Sequence, residues 1–204
     1  MNQADPAPPP LRERVLEQSL KIIERSGVEQ LSLRAVARDL GVSHQAPYKH
    51  FASRDHIVAA LTARAYGAFS QALSEASKGL APHARLTAMG IAYLDYAAQN
   101  PLPYRLMFET ALPSPQDHPD MLAKARNAFE MLVEALSALP ERAGADRARI
   151  ESEALFIWSS LHGAASLARS PALDTLSLSA GVRDGHVRRT LDGLSRALDL
   201  PAPE

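Results

Sequence analysis

The sequence predicts an all-α fold: a three-helix head carrying a helix-turn-helix, then a helical body, about nine helices in all. Apolar residues recur at intervals of three and four through most of the 204 residues, as in helices that bury one face. Alanine and leucine outweigh the β-branched residues that strands prefer. Proline, glycine and asparagine punctuate the chain where the periodic stretches end.

Composition narrows the possible functions. A formal net charge of −1 gives a polyanion no general attraction, so any nucleic-acid role must rest on a local pattern. Without cysteine, the chain excludes disulfides, thiolate metal sites and a cysteine nucleophile, and it suits a reducing compartment. The start carries no basic segment leading into an apolar run, and no uninterrupted apolar stretch approaches the roughly 18 residues of a membrane span. Secretion and membrane insertion are not expected; a cytoplasmic location is.

Residues 1–10, MNQADPAPPP, hold too many prolines for a helix and read as a disordered arm. Residues 11–26 form an amphipathic helix, with Leu11, Val15, Leu16, Leu20, Ile22 and Ile23 on a face that needs a packing partner and Gly27 at its end. On its other face Arg12, Arg14, Lys21 and Arg25 interleave with Glu13, Glu17 and Glu24, which is the pattern of a solvated surface.

The next stretch, residues 31–51, LSLRAVARDLGVSHQAPYKHF, reads as two short helices joined by a tight turn. Ser32 suits the N-cap of a helix over residues 33–40, in which Ala35, Val36, Ala37 and Leu40 share a face. Gly41 stands where the chain must leave that helix with positive φ, and Val42 can tuck under the turn. Ser43 can then cap a second helix over residues 44–50. Such a pair is the helix-turn-helix, whose second helix fits the major groove of DNA.

The exposed chemistry favours a polyanion, since no acidic residue occurs between Asp39 and Asp55. Gln45 could pair with an adenine edge, Lys49 could reach phosphate or guanine, Ala46 could touch a thymine methyl, and His44 suits either role. An ordinary helical hairpin with solvated polar residues is the alternative.

With the residues that follow, the run LSLRAVARDLGVSHQAPYKHFASRDHIVAAL resembles the DNA-binding head of the TetR family of one-component transcriptional repressors. Tyr48, the His50-Phe51 pair and Arg54 stand in the family's order, and the similarity covers residues 11–62. It implies that Ser32 and Tyr48 bind phosphates, that His44, Gln45 and Ala46 face bases, and that Lys49, His50 and Arg54 grip the backbone; Ser43 joins this set. Pro47 departs from the aliphatic residue usual there and, lacking an amide hydrogen, puts the regularity of the recognition helix in question.

Ser53 can cap a long helix running from Arg54 into the seventies, with Ile57, Val58, Leu61, Ala65, Phe69 and Leu73 at helical spacing. It crosses the boundary expected between a head, residues 11–53, and a body, residues 54–204. In proteins of the family it resembles, this helix is the lever that transmits ligand binding.

The body continues with a helix over residues 83–99, broken by Asn100-Pro101, then a shorter helix after Pro103 that ends before Pro113. Residues 113–119 form a loop, residues 119–139 a helix and residues 140–145 another break. Met89, Tyr93, Tyr96, Tyr104, Met107, Phe108, Met121 and Phe129 supply most of the aromatic and thioether groups of this region. They could line a partly apolar small-molecule site, or simply pack the helices.

The last two helices, residues 147–168 and 181–198, carry apolar stripes. Ile150, Ala154, Leu155, Ile157, Trp158, Leu161, Ala165 and Leu167 form the first, and Val187, Leu191, Leu194 and Leu198 the second. Paired with a second copy they would build a four-helix interface, and the resemblance likewise implies a homodimer held by this pair. The segment IWSSLHG is similar to a carboxy-terminal type marked by Trp158, His162 and Gly163. Trp158 and His162 share a helical face, where they could contact an effector or sit in the core. No second histidine stands at a ligand spacing from His162, so no metal is expected, and no cofactor.

No nucleophile elbow, phosphate-cradling glycine loop or His-Glu-x-x-His motif is present, and Glu151 and Glu153 point to different sides of their helix. An enzyme is therefore not expected, whereas a helical protein adaptor remains a rival. The expectation is a homodimeric repressor that binds a near-palindromic double-stranded operator and leaves it when a small-molecule effector binds.

Overall fold

The computed structural model describes residues 9–199; most of the expected disordered arm, residues 1–8, and the last five residues lie outside the described residues. The helices are α1 (Leu11–Ser26), α2 (Leu33–Asp39), α3 (Arg54–Ala76), α4 (Pro82–Gln99), α5 (Pro101–Phe108), α6 (Pro119–Ser137), α7 (Arg147–Ala168), the short α8 (Ala172–Thr175) and α9 (Ala180–Ala197). Four 3-10 turns join them, at Val28–Gln30, Pro47–Lys49, Pro115–Asp117 and Pro140–Arg142, and the described residues contain no strand. The expected all-α class, with about nine helices, is what the chain adopts.

The chain divides into two compact units: residues up to Ala65 together with Arg105–Leu122, and Tyr66–Tyr104 together with residues from Ala123 onward. In the first unit, α1 buries Val15, Leu16, Ile22 and Ile23, the face its spacing marked, and α2 buries Leu33, Val36 and Ala37. Phe51, Ile57, Val58 and Leu61 complete this core. Ser19 is fully enclosed in it and donates its hydroxyl to the Val15 carbonyl at 2.7 Å, which satisfies an otherwise costly buried polar group. Ala59 and Ala63 of α3 pack on Met121, and the buried Thr62 hydroxyl donates to the Leu106 carbonyl at 3.5 Å.

In the second unit α4, α7 and α9 pack on one another. Gly90 permits the close approach of α4 and α9, since a Cβ there would stand 3.0 Å from Leu191 Cδ2. Ile150, Ala154, Ile157, Leu161 and Ala165 of α7 are buried, as are Leu194 and Leu198. Leu155 and Leu167 are not: they stand 54% and 57% exposed, beside Phe156 at 45%. The expected single stripe on α7 is therefore corrected to two faces, one buried within the chain and one apolar and open.

Three boundaries also differ from expectation. The second helix of the helix-turn-helix, expected over residues 44–50, is a turn leading into the 3-10 segment Pro47–Lys49, so the head's third helix is not an α-helix. α5 begins at Pro101 rather than after Pro103, because both prolines fall in a first turn whose amides need no intrahelical partner. It stops at Phe108, where the Thr110 hydroxyl takes the Arg105 carbonyl at 3.0 Å. α6 likewise ends at Ser137 rather than near residue 139.

Candidate nucleic-acid interface and effector site

The loop between α2 and α3 owes its shape to a few residues. Ser32 accepts the Ala35 amide at 3.1 Å and starts α2 as its N-cap. At the other end Gly41 takes φ +65°, its amide bonds to the Arg38 carbonyl at 3.1 Å, and the Val42 amide reaches back to the Ala37 carbonyl at 3.0 Å. This pair of reversed bonds is the Schellman closure, available cheaply because glycine has no Cβ to clash.

From there the chain makes mainly i→i−3 bonds, the Ala46 amide to the Ser43 carbonyl at 3.0 Å, Lys49 to Ala46 at 3.3 Å and His50 to Pro47 at 3.0 Å, and closes with one i→i−4 bond from the Phe51 amide to the Pro47 carbonyl at 3.0 Å. Pro47 has no amide hydrogen to give the Ser43 carbonyl, which removes the bond that would have begun an α-helix. Its ring is fully buried, filling the place of the aliphatic residue. Ser43 thus enters the turn through its carbonyl.

The outward side of the turn is polar. Ser43, His44, Gln45, Tyr48, Lys49 and His50 are exposed and Ala46 is half-buried. His44, Gln45 and Tyr48 line an open groove of about 560 Å³, and the fourth residue lining it is Arg34 of α2. Sequence reasoning missed Arg34; its signal was its place two residues after the N-cap Ser32, at the end of α2 nearest the expected phosphate contact. Arg54 is turned inward: its Nε and Nη2 both donate to the Val28 carbonyl, at 3.1 and 2.8 Å, and Nη1 lies 3.8 Å from Asp55. Ser53 caps α3, accepting the His56 amide at 3.4 Å.

Of the nine residues expected to meet an effector, the second unit brings four, Tyr93, Tyr104, Trp158 and His162, into hydrogen-bonding distance. The Tyr104 hydroxyl is 2.7 Å from His162 Nδ1, and the Tyr93 hydroxyl is 2.8 Å from that of Tyr104 and 3.3 Å from the same nitrogen. The Trp158 side chain also hydrogen-bonds Tyr93. The arrangement that uses each donor once runs from the Trp158 N–H to Tyr93, from Tyr93 to Tyr104 and from Tyr104 to His162 Nδ1, which assigns the imidazole proton to Nε2. Burial, then the hydrogen bond with Tyr104, pushes the Tyr93 hydroxyl far above the usual tyrosine range; burial raises Tyr96 and pushes Tyr66 up to about 12.

Aromatic contacts surround this chain of hydroxyls. Phe69 of α3 stands edge-on to both Tyr93 and Tyr96 with centroids 5.3 Å away, and Phe129 lies 6.1 Å from Trp158. The Arg169 guanidinium sits over the Tyr104 ring, 4.6 Å from its centroid. Met89 is buried in the same unit, whereas Met107 and Phe108 fall in the first unit. No group of three or more metal-ligating side chains occurs among the described residues.

Known proteins share both parts of this chain. Residues 15–61 match the family of bacterial regulatory proteins called the tetR family, and residues 86–194 match the tetracyclin repressor-like C-terminal domain. An uncharacterized HTH-type transcriptional regulator of Mycobacterium tuberculosis is 28% identical over 89% of this chain and 84% of its own length. A protein of unknown function from Rhodococcus sp. RHA1 superposes with a TM-score of 0.76 at 26% identity, covering 96% of this chain and 98% of that one. A tetR-family regulatory protein from Rhodococcus RHA1 shares the fold, with a TM-score of 0.66 at 20% identity over 90% and 96% of the two chains. The C-terminal match alone spans more than half of the sequence, and with the helix-turn-helix before it the chain belongs to the TetR family of DNA-binding transcriptional regulators.

Proposed function

We propose that this protein is a cytoplasmic repressor whose two copies each set the α2–α3 turn into the major groove of a near-palindromic operator, and which a small molecule releases. The observation that supports this most is the groove lined by Arg34, His44, Gln45 and Tyr48, in a stretch with no acidic residue between Asp39 and Asp55. His44, Gln45 and Ala46 would meet base edges, and Ser32, Ser43, Tyr48, Lys49 and His50 the phosphates. Arg54, held by Val28, would act chiefly by fixing the start of α3.

The homodimer would form on the open face of α7. Leu155, Phe156 and Leu167 are exposed there, and Ser159 and Ser160 both turn their hydroxyls onto the Phe156 carbonyl, at 3.0 and 2.8 Å. Those serines leave a low, self-satisfied surface between large apolar groups, which suits close helix approach. Two heads would then address half-sites about 34 Å apart.

The effector would engage the Tyr93, Tyr104 and His162 cluster. Phe69 carries the consequence, because it packs on Tyr93 and Tyr96 and belongs to α3, whose other end starts after the reading turn. A ligand preferring one setting of α3 would weaken operator affinity through a coupling of about 1 to 3 kcal/mol. Selection of bound fragments from a genomic library, followed by a metabolite screen for release, tests the proposal. Recovery of a two-fold site and a releasing compound supports it, and salt-independent retention of a protein partner instead would favour the adaptor.

A further inference from the structure

α7 carries Trp158 and His162 four residues apart and ends on Arg169, and successive turns bring the three within about 40° of one another around the helix. Arg169 is its C-cap and is half-buried. Its guanidinium lies over the Tyr104 ring, 4.6 Å from the centroid, and the His162 ring stacks on the same tyrosine, 18° from parallel with centroids 5.8 Å apart. One fully buried tyrosine thus gathers an imidazole and a permanent cation. The hydrogen-bond order running from Trp158 through Tyr93 and Tyr104 into His162 Nδ1 leaves the imidazole with an N–H at Nε2, and a guanidinium has donors alone. Both groups therefore call for an acceptor. Between Glu153 and Asp174 the sequence places no acidic residue, so this part of α7 brings no carboxylate of its own. Phe69 against Tyr93 and Phe129 against Trp158 make the surroundings aromatic.

We propose that the effector is a carboxylate on an apolar body, its two oxygens clamped by Arg169 beside the His162 Nε2–H and its body laid against the aromatic side chains. This rests on the assignment of the effector to the Tyr93, Tyr104 and His162 cluster, and it fixes the charge of the ligand. Contact with a ring face draws on the guanidinium's charge and needs none of its forked N–H donors, whose spacing matches the two oxygens of a carboxylate. A carboxylate exchanges water for charge-assisted bonds, whereas an amine would set a second cation beside Arg169 and an alcohol would use one arm of the fork. The single negative charge follows from the single guanidinium: a dianion would give up more hydration than one half-buried cation offsets.

The test follows the emission of Trp158, the chain's only tryptophan, in full-length protein titrated with octanoate, 1-octanol and octylamine, and with 4-phenylbutanoate and its matching alcohol and amine. Wild type should bind the acid of at least one series about tenfold or more tightly than its alcohol and its amine. Arg169→Gln should weaken that acid about 10- to 100-fold and leave the alcohol nearly untouched, and Arg169→Lys should recover only part of the loss. An acid held equally well by Arg169→Gln overturns the inference, as does an alcohol or amine that outbinds its acid. In both cases a responding Trp158 leaves the cluster standing as the effector site. If no member of either series alters Trp158 emission, the cluster fails as that site and the inference with it. Thermal unfolding of Arg169→Gln close to that of wild type excludes misfolding as a cause; should the variant not fold, Arg169→Lys and the wild-type ranking of acid, alcohol and amine decide.

Discussion

The Tyr104 hydroxyl lies 2.7 Å from His162 Nδ1, and no part of Tyr104 is exposed to solvent. A donor so enclosed cannot exchange its partner for water, so removing it leaves the imidazole nitrogen dependent on the longer bond to Tyr93. Tyr104→Phe should lower stability by about 1 to 2 kcal/mol. Differential scanning calorimetry would record this as a melting temperature several degrees lower. Tyr48→Phe, at a residue that is 46% exposed, should leave the melting temperature unchanged.

The buried tyrosines also set the behaviour in alkali. Burial raises the Tyr66 hydroxyl to about 12 and moves Tyr93 and Tyr96 in the same direction. The unfolded chain releases these protons near pH 10. Each hydroxyl's folded value therefore exceeds its unfolded one, so its contribution is fully present below about pH 10 and is lost as pH rises through the folded values. Denaturant midpoints should hold steady up to about pH 9 and fall steeply between about pH 10 and 12. In an ultraviolet titration of native protein, Tyr66, Tyr93 and Tyr96 should ionise only together with unfolding.

Gly41 isolates the value of the turn. A Cβ there meets no atom within 4 Å, yet φ is +65°, so substitution costs backbone strain alone. Gly41→Ala should destabilise by about 1 to 2 kcal/mol, and Gly41→Asn by less, because asparagine tolerates this conformation. Chemical denaturation of the three proteins orders them glycine, asparagine, alanine.

Much of this head was legible in the sequence because it is local. The Ser32 cap, the Gly41 turn and the Ser53 start of α3 each depend on residues within a few positions, and each occurs as expected. The missing recognition helix was legible in part: Pro47 could be seen to remove an amide, but its burial as a core residue depends on α1 and α2 packing beneath it. The Arg34 contribution depends on three-dimensional neighbourhood, as does the turning of Arg54 to the Val28 carbonyl 26 residues away. In the body, periodicity marked α7 as apolar but could not separate the face buried by Ile150, Ala154 and Leu161 from the open face of Leu155, Phe156 and Leu167. That distinction needs the partner helices, which α4 and α9 supply.

Arg142 ties three of the second unit's elements together. It is 7% exposed, its Nε donates to Glu153 at 2.6 Å and its Nη2 to the Leu198 carbonyl at 2.7 Å. Arg142→Ala strands a largely buried carboxylate that only Arg149, at 3.2 Å, still partners. A loss of about 3 kcal/mol is expected in denaturant unfolding. Arg149→Ala, removing an exposed partner, should cost under about 1 kcal/mol.

The direct test of the regulator is operator binding as a function of salt, measured on a duplex recovered by genomic selection. The account predicts that the logarithm of affinity falls linearly and steeply with the logarithm of salt concentration, and that Tyr48→Ala or Lys49→Ala weakens binding at least tenfold while size-exclusion chromatography still shows a dimer. Affinity indifferent to salt, or variants that bind as tightly as wild type, would contradict it.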